Sequence, residues 1–317
     1  MNDYPSQRLR IGTSGYSYPG VQPKGWYGVF YPENKGKRFD ELEHYSSFFN
    51  SVEINTSFYR PPALSMAEAW VKKTPPGFEF AVKVWQKFTH PMMLGEGARE
   101  TKRNWEAPTE SDVEVFRKGI RPLAESGKLG ILLFQYPPGF HYTEENLERL
   151  HWTLRAFNEY PKVVELRHRS WSERDKETKA LLVQLGAAWA VIDEPKFFSS
   201  VRQEFELVGE IFYLRLHGRN REKWWSHGEM WERYDYFYGP EEIRFFGDMI
   251  RKLVQKSPQA KIFVFFNNHA RGQAVANGLM LKHEMGEEIT VAVPKSLVYC
   301  YPQLAGFTRA AHQETLF

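Results

Sequence analysis

Eight short runs of apolar, β-branched and aromatic residues recur along this chain, and helical segments separate most of them. Such runs are typical of strands buried on both faces, as in a parallel sheet with helices outside. Strands that alternate with helices predict an α/β fold, and a count of eight predicts one closed TIM-type (β/α)8 barrel. The predicted strands are Arg8–Gly12, Ser51–Ile54, Phe78–Val84, Leu129–Phe134, Val163–Leu166, Ala188–Ile192, Ile211–Leu216 and Lys261–Phe266.

Helix signals stand between most of these strands. Ser172 is placed to cap one helix, Pro240 suits the first turn of another, and a third is predicted from about Arg271 to His283. Only Pro195–Glu210 lacks a strong helical pattern, which leaves an open doubly wound sheet as the alternative fold. The closed barrel is favoured because every predicted strand reads as buried and none reads as a charged edge.

Composition limits the kind of protein. A chain of 317 residues that is 42% apolar suits one large domain or two modest ones, and we expect a single domain over residues 1–317. The net charge of +3 gives no global attraction to nucleic acid or membranes, although local basic patches remain open. The only cysteine, Cys300, excludes a disulfide framework and a cysteine-rich metal site. Without an apolar leader or a membrane-spanning run, the sequence predicts a cytoplasmic protein with no membrane partner.

The strand-to-helix loops are long, whereas the helix-to-strand loops are short. Two of the long loops, Gln86–Glu110 and His217–Gly239, leave strand ends, so we expect both to lie over the C-terminal face of the barrel. The second loop holds many tryptophans and tyrosines, which are suited to stacking on bases or sugar rings. The alternative is that these aromatic residues form a small second core beneath the loops.

Polar side chains follow the predicted strands at their carboxyl ends, where barrels build active sites. We expect Glu53, Glu165, Arg167, Asp193, Arg215, His217 and Asn268 to point into one shared cavity. The alternatives are a self-neutralising buried ion network, or a helix-capping role for Asn268 and a surface role for His269. The residues that reach this face are Glu53, Asn55, Lys83, Gln135, Glu165, Arg167, Asp193, Arg215, His217, Asn267, Asn268 and His269.

These residue types suit an anionic substrate. We assign Glu53, Glu165, Asp193 and His217 as candidate acids and bases. The substrate-binding candidates, which include the cations that phosphate or carboxylate groups prefer, are Asn55, Lys83, Gln135, Arg167, Arg215, Asn267, Asn268 and His269.

Three further chemistries stay open at this point. The carboxylates and histidines, with His90, could ligate a divalent metal, although no short-spaced signature such as HExxH is present. Paired carboxylates with aromatic platforms would suit glycoside hydrolysis. Lys83 could form a Schiff base. No phosphate-binding glycine loop of the GxGxxG or Walker type is present.

Several of these segments together resemble one known family. The pieces IGTSGYSYPG, GVFYP, FNSVEINTSFYRPP, FAVKV, ILLFQYPPGF, VELRHRSW, VIDEP, YLRLHG and FVFFNNHARGQAVANG are similar to the YecE-like family, also known as domain of unknown function 72. The resemblance runs from about Ile11 to Leu281 and implies a TIM-barrel fold, but it implies no activity. Two departures are Val21, where the family often has tryptophan, and Gly278, where alanine is usual.

Two hypotheses about function follow. The first is a hydrolase or lyase that acts on an anionic, phosphate-containing or nucleic-acid substrate at the C-terminal mouth. The second is a non-catalytic module that binds nucleic acid or carbohydrate through its aromatic loops. If the first is right, replacing Arg167 with Ala is expected to weaken anion binding and to leave the fold largely intact. The sequence leaves metal dependence and oligomeric state open.

Overall fold

The computed structural model describes residues 8–90 and 107–309. Within these ranges the chain alternates strands and helices. The strands are β1 Leu9–Thr13, β2 Ser51–Ile54, β3 Glu79–Lys83, β4 Leu129–Gln135, β5 Lys162–Glu165, β6 Ala187–Trp189, β7 Val191–Asp193, β8 Ile211–Leu216 and β9 Lys261–Phe266. The helices are α1 Glu41–Ser46, α2 Leu64–Lys72, α3 Gln86–Thr89, α4 Glu110–Glu125, α5 Glu144–Arg155, α6 Arg169–Ser172, α7 Asp175–Gln184, α8 Pro240–Lys256, α9 Gln273–Glu284 and α10 Lys295–Cys300.

The strands form two sheets. One has four strands in the order β1-β9-β8-β7, and the other has five in the order β2-β3-β4-β5-β6. The pairs β1–β9, β3–β4, β4–β5 and β5–β6 are parallel, so the predicted α/β class with parallel sheets is confirmed. The hydrogen-bonded ladders of the described residues do not make the single closed eight-stranded sheet that the strand count predicted.

The predicted sixth strand, Ala188–Ile192, is divided at Ala190. This residue donates its backbone N–H to the carbonyl of Val164 on β5, while β6 ends one residue before it and β7 begins one residue after it. The strand on the amino side of Ala190 pairs with β5, and the strand on its carboxyl side pairs with β8. One predicted strand therefore serves two sheets.

Chain contacts divide the protein into two compact units. The first unit comprises Met1–Val52, Ile192–Pro195 and Leu214–Phe317. The second unit comprises Glu53–Val191 and Lys196–Tyr213. The single domain over residues 1–317 stays a prediction.

In the first unit, β1 passes close to the start of β2. A Cβ atom on Gly12 would lie 2.0 Å from the carbonyl oxygen of Ser51, so only glycine fits at this position. The Tyr45 hydroxyl accepts a hydrogen bond from Thr13 N–H at 2.8 Å and donates one to the Ser51 carbonyl at 3.1 Å. A side chain thus joins two strand segments that form no backbone ladder here.

In the second unit, strand register decides which residues share a face. Lys83 pairs with Leu133 and Gln135 with Glu165, and residues in register on parallel strands point to the same side. Lys83, Gln135 and Glu165 therefore lie on one face at the carboxyl ends of their strands. The opposite face meets the helices: the Phe134 ring packs 5.6 Å from Phe157, which follows α5.

Two predicted helix boundaries were wrong. The helix predicted from about Arg271 begins at Gln273, because Arg271 and Gly272 have φ values of 56° and 78° in the left-handed region. Ser172 does not cap a helix; it is the last residue of the four-residue α6, whose cap is the His168 side chain. Pro240 does open α8, as predicted. None of the helices in the described ranges is long and apolar enough to cross a membrane.

Candidate functional site

A group of charged side chains lies at the strand ends of the second unit. We call Lys83, His90, Glu165 and Arg167, together with Phe58, the cation cluster. Arg167 Nε donates to Glu165 Oε1 at 2.6 Å, and the Glu165 side chain is fully buried. Lys83 Nζ lies 3.8 Å from the centroid of the Phe58 ring, whose edge-to-face partner is the His90 ring at 4.9 Å. The Phe58 ring therefore contacts both a lysine and a histidine.

The local positive charge of the cation cluster acts on His90. Burial is the main cause that lowers the pKa of His90 to about 3, and the charges of Lys83 and Arg167 lower it further against the opposing effect of Glu165. His90 is consequently neutral near neutral pH. Its Nδ1 lies 2.8 Å from the Thr89 hydroxyl, which fixes the ring orientation. The cluster thus combines a lysine, a carboxylate bonded to a guanidinium and one uncharged imidazole.

The other predicted residues of this unit surround the same strand ends. Glu53 is fully buried and its Oε2 accepts a hydrogen bond from the Tyr213 hydroxyl at 2.7 Å. Gln135 stands beside Glu165 in the sheet register. Asn55 is half-buried, and its backbone carbonyl accepts from Phe58 N–H at the turn that positions the Phe58 ring. Ser57 secures that turn, because its hydroxyl donates to the Lys83 carbonyl at 2.6 Å.

A second group lies at the ends of β8 and β9 in the first unit. We call His217, Asn267 and His269, with the rings of Tyr18 and Tyr234, the imidazole cluster. The Asn267 side-chain amide lies 2.8 Å from His217 Nδ1, and the Asn267 backbone carbonyl accepts from His269 Nδ1 at 3.2 Å. The His269 ring stacks on Tyr18 at 4.5 Å, and Tyr234 lies 5.1 Å away on a tilt of 42°. Asn267 therefore orients both imidazoles.

Buried Arg215 adds a charge beside this group. Its Nη1 lies 3.4 Å from His217 Nε2. A guanidinium can only donate, and the Asn267 atom beside His217 Nδ1 is the amide nitrogen Nδ2, which is also a donor. The two ring nitrogens of His217 thus lie beside donors of Arg215 and Asn267.

Asn268 has a different role from the one expected of it. Residues alternate in direction along β9, and the Asn268 side chain lies against α9 and the loop that precedes α8. Its Nδ2 donates to the carbonyl of Tyr236 and to Asn277 Oδ1, both at 2.8 Å. Asn277 in turn bonds the N–H and carbonyl of Tyr238, and Gln273 accepts from Tyr236 N–H. These three amides fasten the end of the His217–Gly239 loop beside the end of β9.

Asp193 forms an ion network of its own. Its carboxylate accepts bonds of 2.7 to 3.1 Å from Arg219 Nε and Nη2, and a 2.7 Å bond from the Tyr238 hydroxyl. Arg219 also donates to Glu242 at 2.9 Å. This network joins two carboxylates, Asp193 and Glu242, through the partly exposed guanidinium of Arg219, and the Tyr238 hydroxyl donates to Asp193. It positions the start of α8 and the loop before it.

The structure therefore sorts the twelve predicted residues by neighbour. Lys83, Glu165 and Arg167 come together in the second unit, and Arg215, His217 and Asn267 come together in the first. One shared cavity stays a prediction for the seven residues assigned to it, which are Glu53, Glu165, Arg167, Asp193, Arg215, His217 and Asn268. The reasoning from sequence missed the partners that define each group, which are Phe58, Tyr213, Arg219, Tyr18 and Tyr234. Of these, Arg219 and Tyr234 lie in the His217–Gly239 loop, which was expected to cover the strand ends.

Metal and lid predictions have separate outcomes. Among the described residues, no group of three or more histidine, cysteine or acidic side chains is arranged to hold a metal ion. The first predicted lid, Gln86–Glu110, falls mostly outside the described residues. The second, His217–Gly239, is tied to Asn268, which directly follows the carboxyl end of β9, through the bond to the Tyr236 carbonyl.

Known proteins resemble this chain over most of its length. The family described as "Protein of unknown function DUF72" matches residues 10–297. The UPF0759 protein YunF of Bacillus subtilis is 31% identical over 288 residues, which are 88% of this chain and 98% of that protein. A DUF72 family structure from Thermotoga maritima has a TM-score of 0.72 at 32% identity and covers 88% of this chain and 99% of its own. One from Enterococcus faecalis has a TM-score of 0.72 at 26% identity, with 88% and 95% covered.

One departure from the family pattern has a structural reason. A Cβ atom on Gly278 would lie 2.7 Å from the Phe49 ring, so the alanine that is usual there would require Phe49 to move. Glycine lets α9 approach this ring closely. The other departure, Val21, is 59% exposed and affects no buried wall.

Proposed function

The chain belongs to the DUF72 family, and from that premise we propose that it is an enzyme, a hydrolase or lyase, which acts on an anionic substrate held by its cation cluster. The observation that carries this proposal is the meeting of Lys83 and a neutral His90 on the Phe58 ring, together with the buried carboxylate of Glu165 and its partner Arg167. Such a concentration of buried charge is costly, and it is more easily explained by a ligand than by stability.

The residues divide the work of such a site between binding and proton transfer. Arg167 carries a planar guanidinium whose Nε bonds Glu165, and Lys83 carries an ammonium group. Both are group types that bind phosphate or carboxylate oxygens. The Glu165 carboxylate, which accepts a bond from Arg167, suits a general base that takes a proton from water in a hydrolase or from carbon in a lyase. Neutral His90 suits a hydrogen-bond partner that adds no charge.

Binding of inorganic phosphate tests the anion site. Lys83→Met should weaken its binding, measured by calorimetric titration, by about 10-fold or more, because a hydrogen bond to a charged group is lost. The matched control is Lys162→Met, since Lys162 is a buried lysine of the same sheet and points to the opposite face. Equal phosphate affinity in wild type and Lys83→Met would contradict the proposal.

Turnover of model substrates distinguishes the candidate substrate classes. We expect turnover of a phosphate monoester or a phosphodiester, with p-nitrophenyl phosphate and bis-p-nitrophenyl phosphate as probes, and loss of turnover in Glu165→Gln with binding retained. The protein could instead bind phosphate, turn over neither ester and cause no elimination from a β-substituted carboxylate. That result would make it an anion-binding protein and contradict the proposed enzymatic activity. A single-stranded oligonucleotide in the same titration tests whether the anion belongs to nucleic acid.

The fold that we propose is the (β/α)8 barrel. Its support is the alternation of strands and helices and the Tyr45 hydroxyl, which links Thr13 on β1 to Ser51 on β2 where a barrel needs neighbouring strands. A crystal structure with an open sheet would contradict it.

A further inference from the structure

His269 in the imidazole cluster offers an unprotonated nitrogen. Its Nδ1 lies 3.2 Å from the Asn267 carbonyl oxygen, and a carbonyl can only accept, so Nδ1 carries the proton. The lone pair is then on Nε2. Burial lowers the pKa of His269 to about 4, which keeps the ring neutral over the physiological range.

The orientation of this ring is fixed by its surroundings. Tyr18 stacks on one side with an interplanar angle of 11°, and Tyr234 lies at 5.1 Å. The indole N–H of buried Trp26 donates to the His269 backbone carbonyl at 2.8 Å, which fixes the main chain as well. Tyr18, Tyr234 and His269 are all half-buried, so the cluster is reachable from solvent.

The chemistry of this group differs from that of an anion site. A neutral Nε2 lone pair repels the oxygens of a fully ionised phosphate or carboxylate and accepts from an O–H or N–H. Asn267 adds an uncharged amide, and the tyrosine rings add apolar walls. Hydroxyl donors together with apolar C–H faces are the features of a sugar ring, which packs against aromatic side chains.

We propose that the imidazole cluster is a binding site for an uncharged sugar, in which a sugar hydroxyl donates a hydrogen bond to His269 Nε2 and the ring packs beside Tyr234. None of these residues belongs to the cation cluster, so the proposal stands apart from the proposed function. The competing explanation is that the tyrosines and His269 form a small core beneath the loops and bind nothing.

The tautomer can be measured without any ligand. Long-range 15N–1H correlation spectra of histidine-labelled protein at pH 7 should show His269 with Nδ1 protonated and Nε2 bare. A His269 that carries its proton on Nε2, or that is doubly protonated at pH 7, would overturn the proposal, because no acceptor would face the ligand.

Binding is tested with methyl β-xyloside and methyl β-glucoside, against glucuronate and glucose 6-phosphate as charged counterparts. The neutral glycosides should shift the His269 15N signal and bind the wild type more tightly than the charged sugars do. His269→Phe keeps a ring against Tyr18 but lacks Nε2, so it should weaken glycoside binding about 10-fold.

The matched control for this variant is His283→Phe. His283 is another stacked histidine of the same unit, 4.1 Å from Phe307, and its replacement should leave glycoside binding unchanged. No shift at His269 with either glycoside, or equal affinity in wild type and His269→Phe, would establish the small core instead. Because phosphate binding is measured at the cation cluster, failure of one proposal does not affect the other.

Discussion

The cation cluster and the imidazole cluster both lie at strand ends, yet they stabilise their polar groups in opposite ways. The first buries opposite charges together, with Glu165 fully buried against Arg167. The second holds a neutral His269 and joins it to His217 through the carbonyl and side-chain amide of one residue, Asn267. A buried ion depends strongly on its partner, whereas a neutral hydrogen bond contributes about 1 kcal/mol. The two clusters should therefore differ in their response to mutation and to pH.

The largest difference should come from Arg167→Ala. This change leaves Glu165 buried without its guanidinium, so the free energy of unfolding should fall by about 3–5 kcal/mol, measured in urea. The expectation from sequence that the fold would stay largely intact is replaced by this one. Adding Glu165→Gln to Arg167→Ala should recover part of the loss. A single variant as stable as wild type would show that the pair is not a buried ion pair.

Removal of a neutral amide beside the imidazole cluster should cost less. Asn277→Ala deletes the bonds to Tyr238 N–H, the Tyr238 carbonyl and Asn268, and a drop of about 2–3 kcal/mol in the free energy of unfolding is expected. Asn146→Ala, which removes one bond to the His141 carbonyl on the surface, is the control and should cost about 0.5 kcal/mol. Equal losses would mean that the loop is not held by Asn277.

The loss of stability at low pH should distinguish His90 from His269. Both have a folded pKa below the unfolded value of 6.5, so the unfolded state binds more protons and stability is lost as pH falls below 6.5 toward the folded pKa. Each contributes a slope of about 1.4 kcal/mol per pH unit. His269 contributes down to about pH 4 and His90 down to about pH 3.

The variants His90→Phe and His269→Phe separate these contributions. Urea unfolding between pH 6 and pH 4 should show a reduced slope in both. Below pH 4 only His90→Phe should still differ from wild type in slope. A wild-type stability that is flat from pH 6 to pH 4 would show that neither imidazole is kept neutral by the fold.

The smallest effect should come from the ion network around Asp193. Arg219 is 40% exposed, so its attraction to Asp193 and Glu242 is screened by solvent. Arg219→Ala should lower the free energy of unfolding by about 0.5–1 kcal/mol, and 0.5 M salt should reduce the difference. A loss as large as that of Arg167→Ala would remove the distinction between a buried pair and an exposed network.

Much of the fold could be read from local pattern. Ser51–Ile54, Ile211–Leu216 and Lys261–Phe266 were predicted with the bounds that the structure has. A strand buried on both faces leaves a continuous apolar run in the sequence, so its position needs no knowledge of its partners. The division at Ala190 left no such signal, because Ala190 is as apolar as its neighbours. The two strands that flank it differ only in the strands with which they pair.

The candidate site was less predictable. Asn267, Asn268 and His269 are consecutive polar residues after one strand, and all three were predicted to bind substrate at the same face. In the structure the middle one, Asn268, bonds Asn277 and the Tyr236 carbonyl, while its two neighbours form the imidazole cluster. Alternation along the strand could have suggested this separation, but the direction of each face depends on the helix that packs against it.

The sequence by itself determined the α/β class, the family and the positions where polar residues end the strands, because these depend on neighbours along the chain. The tertiary structure alone decided what each polar residue does. Glu165 and Asp193 both follow or end a strand, yet one is buried against Arg167 and the other is bound by Arg219 at the surface. The physical reason is that the charge and burial of a side chain are set by partners distant in sequence. The residues next to a carboxylate in the chain do not indicate which cation will bind it.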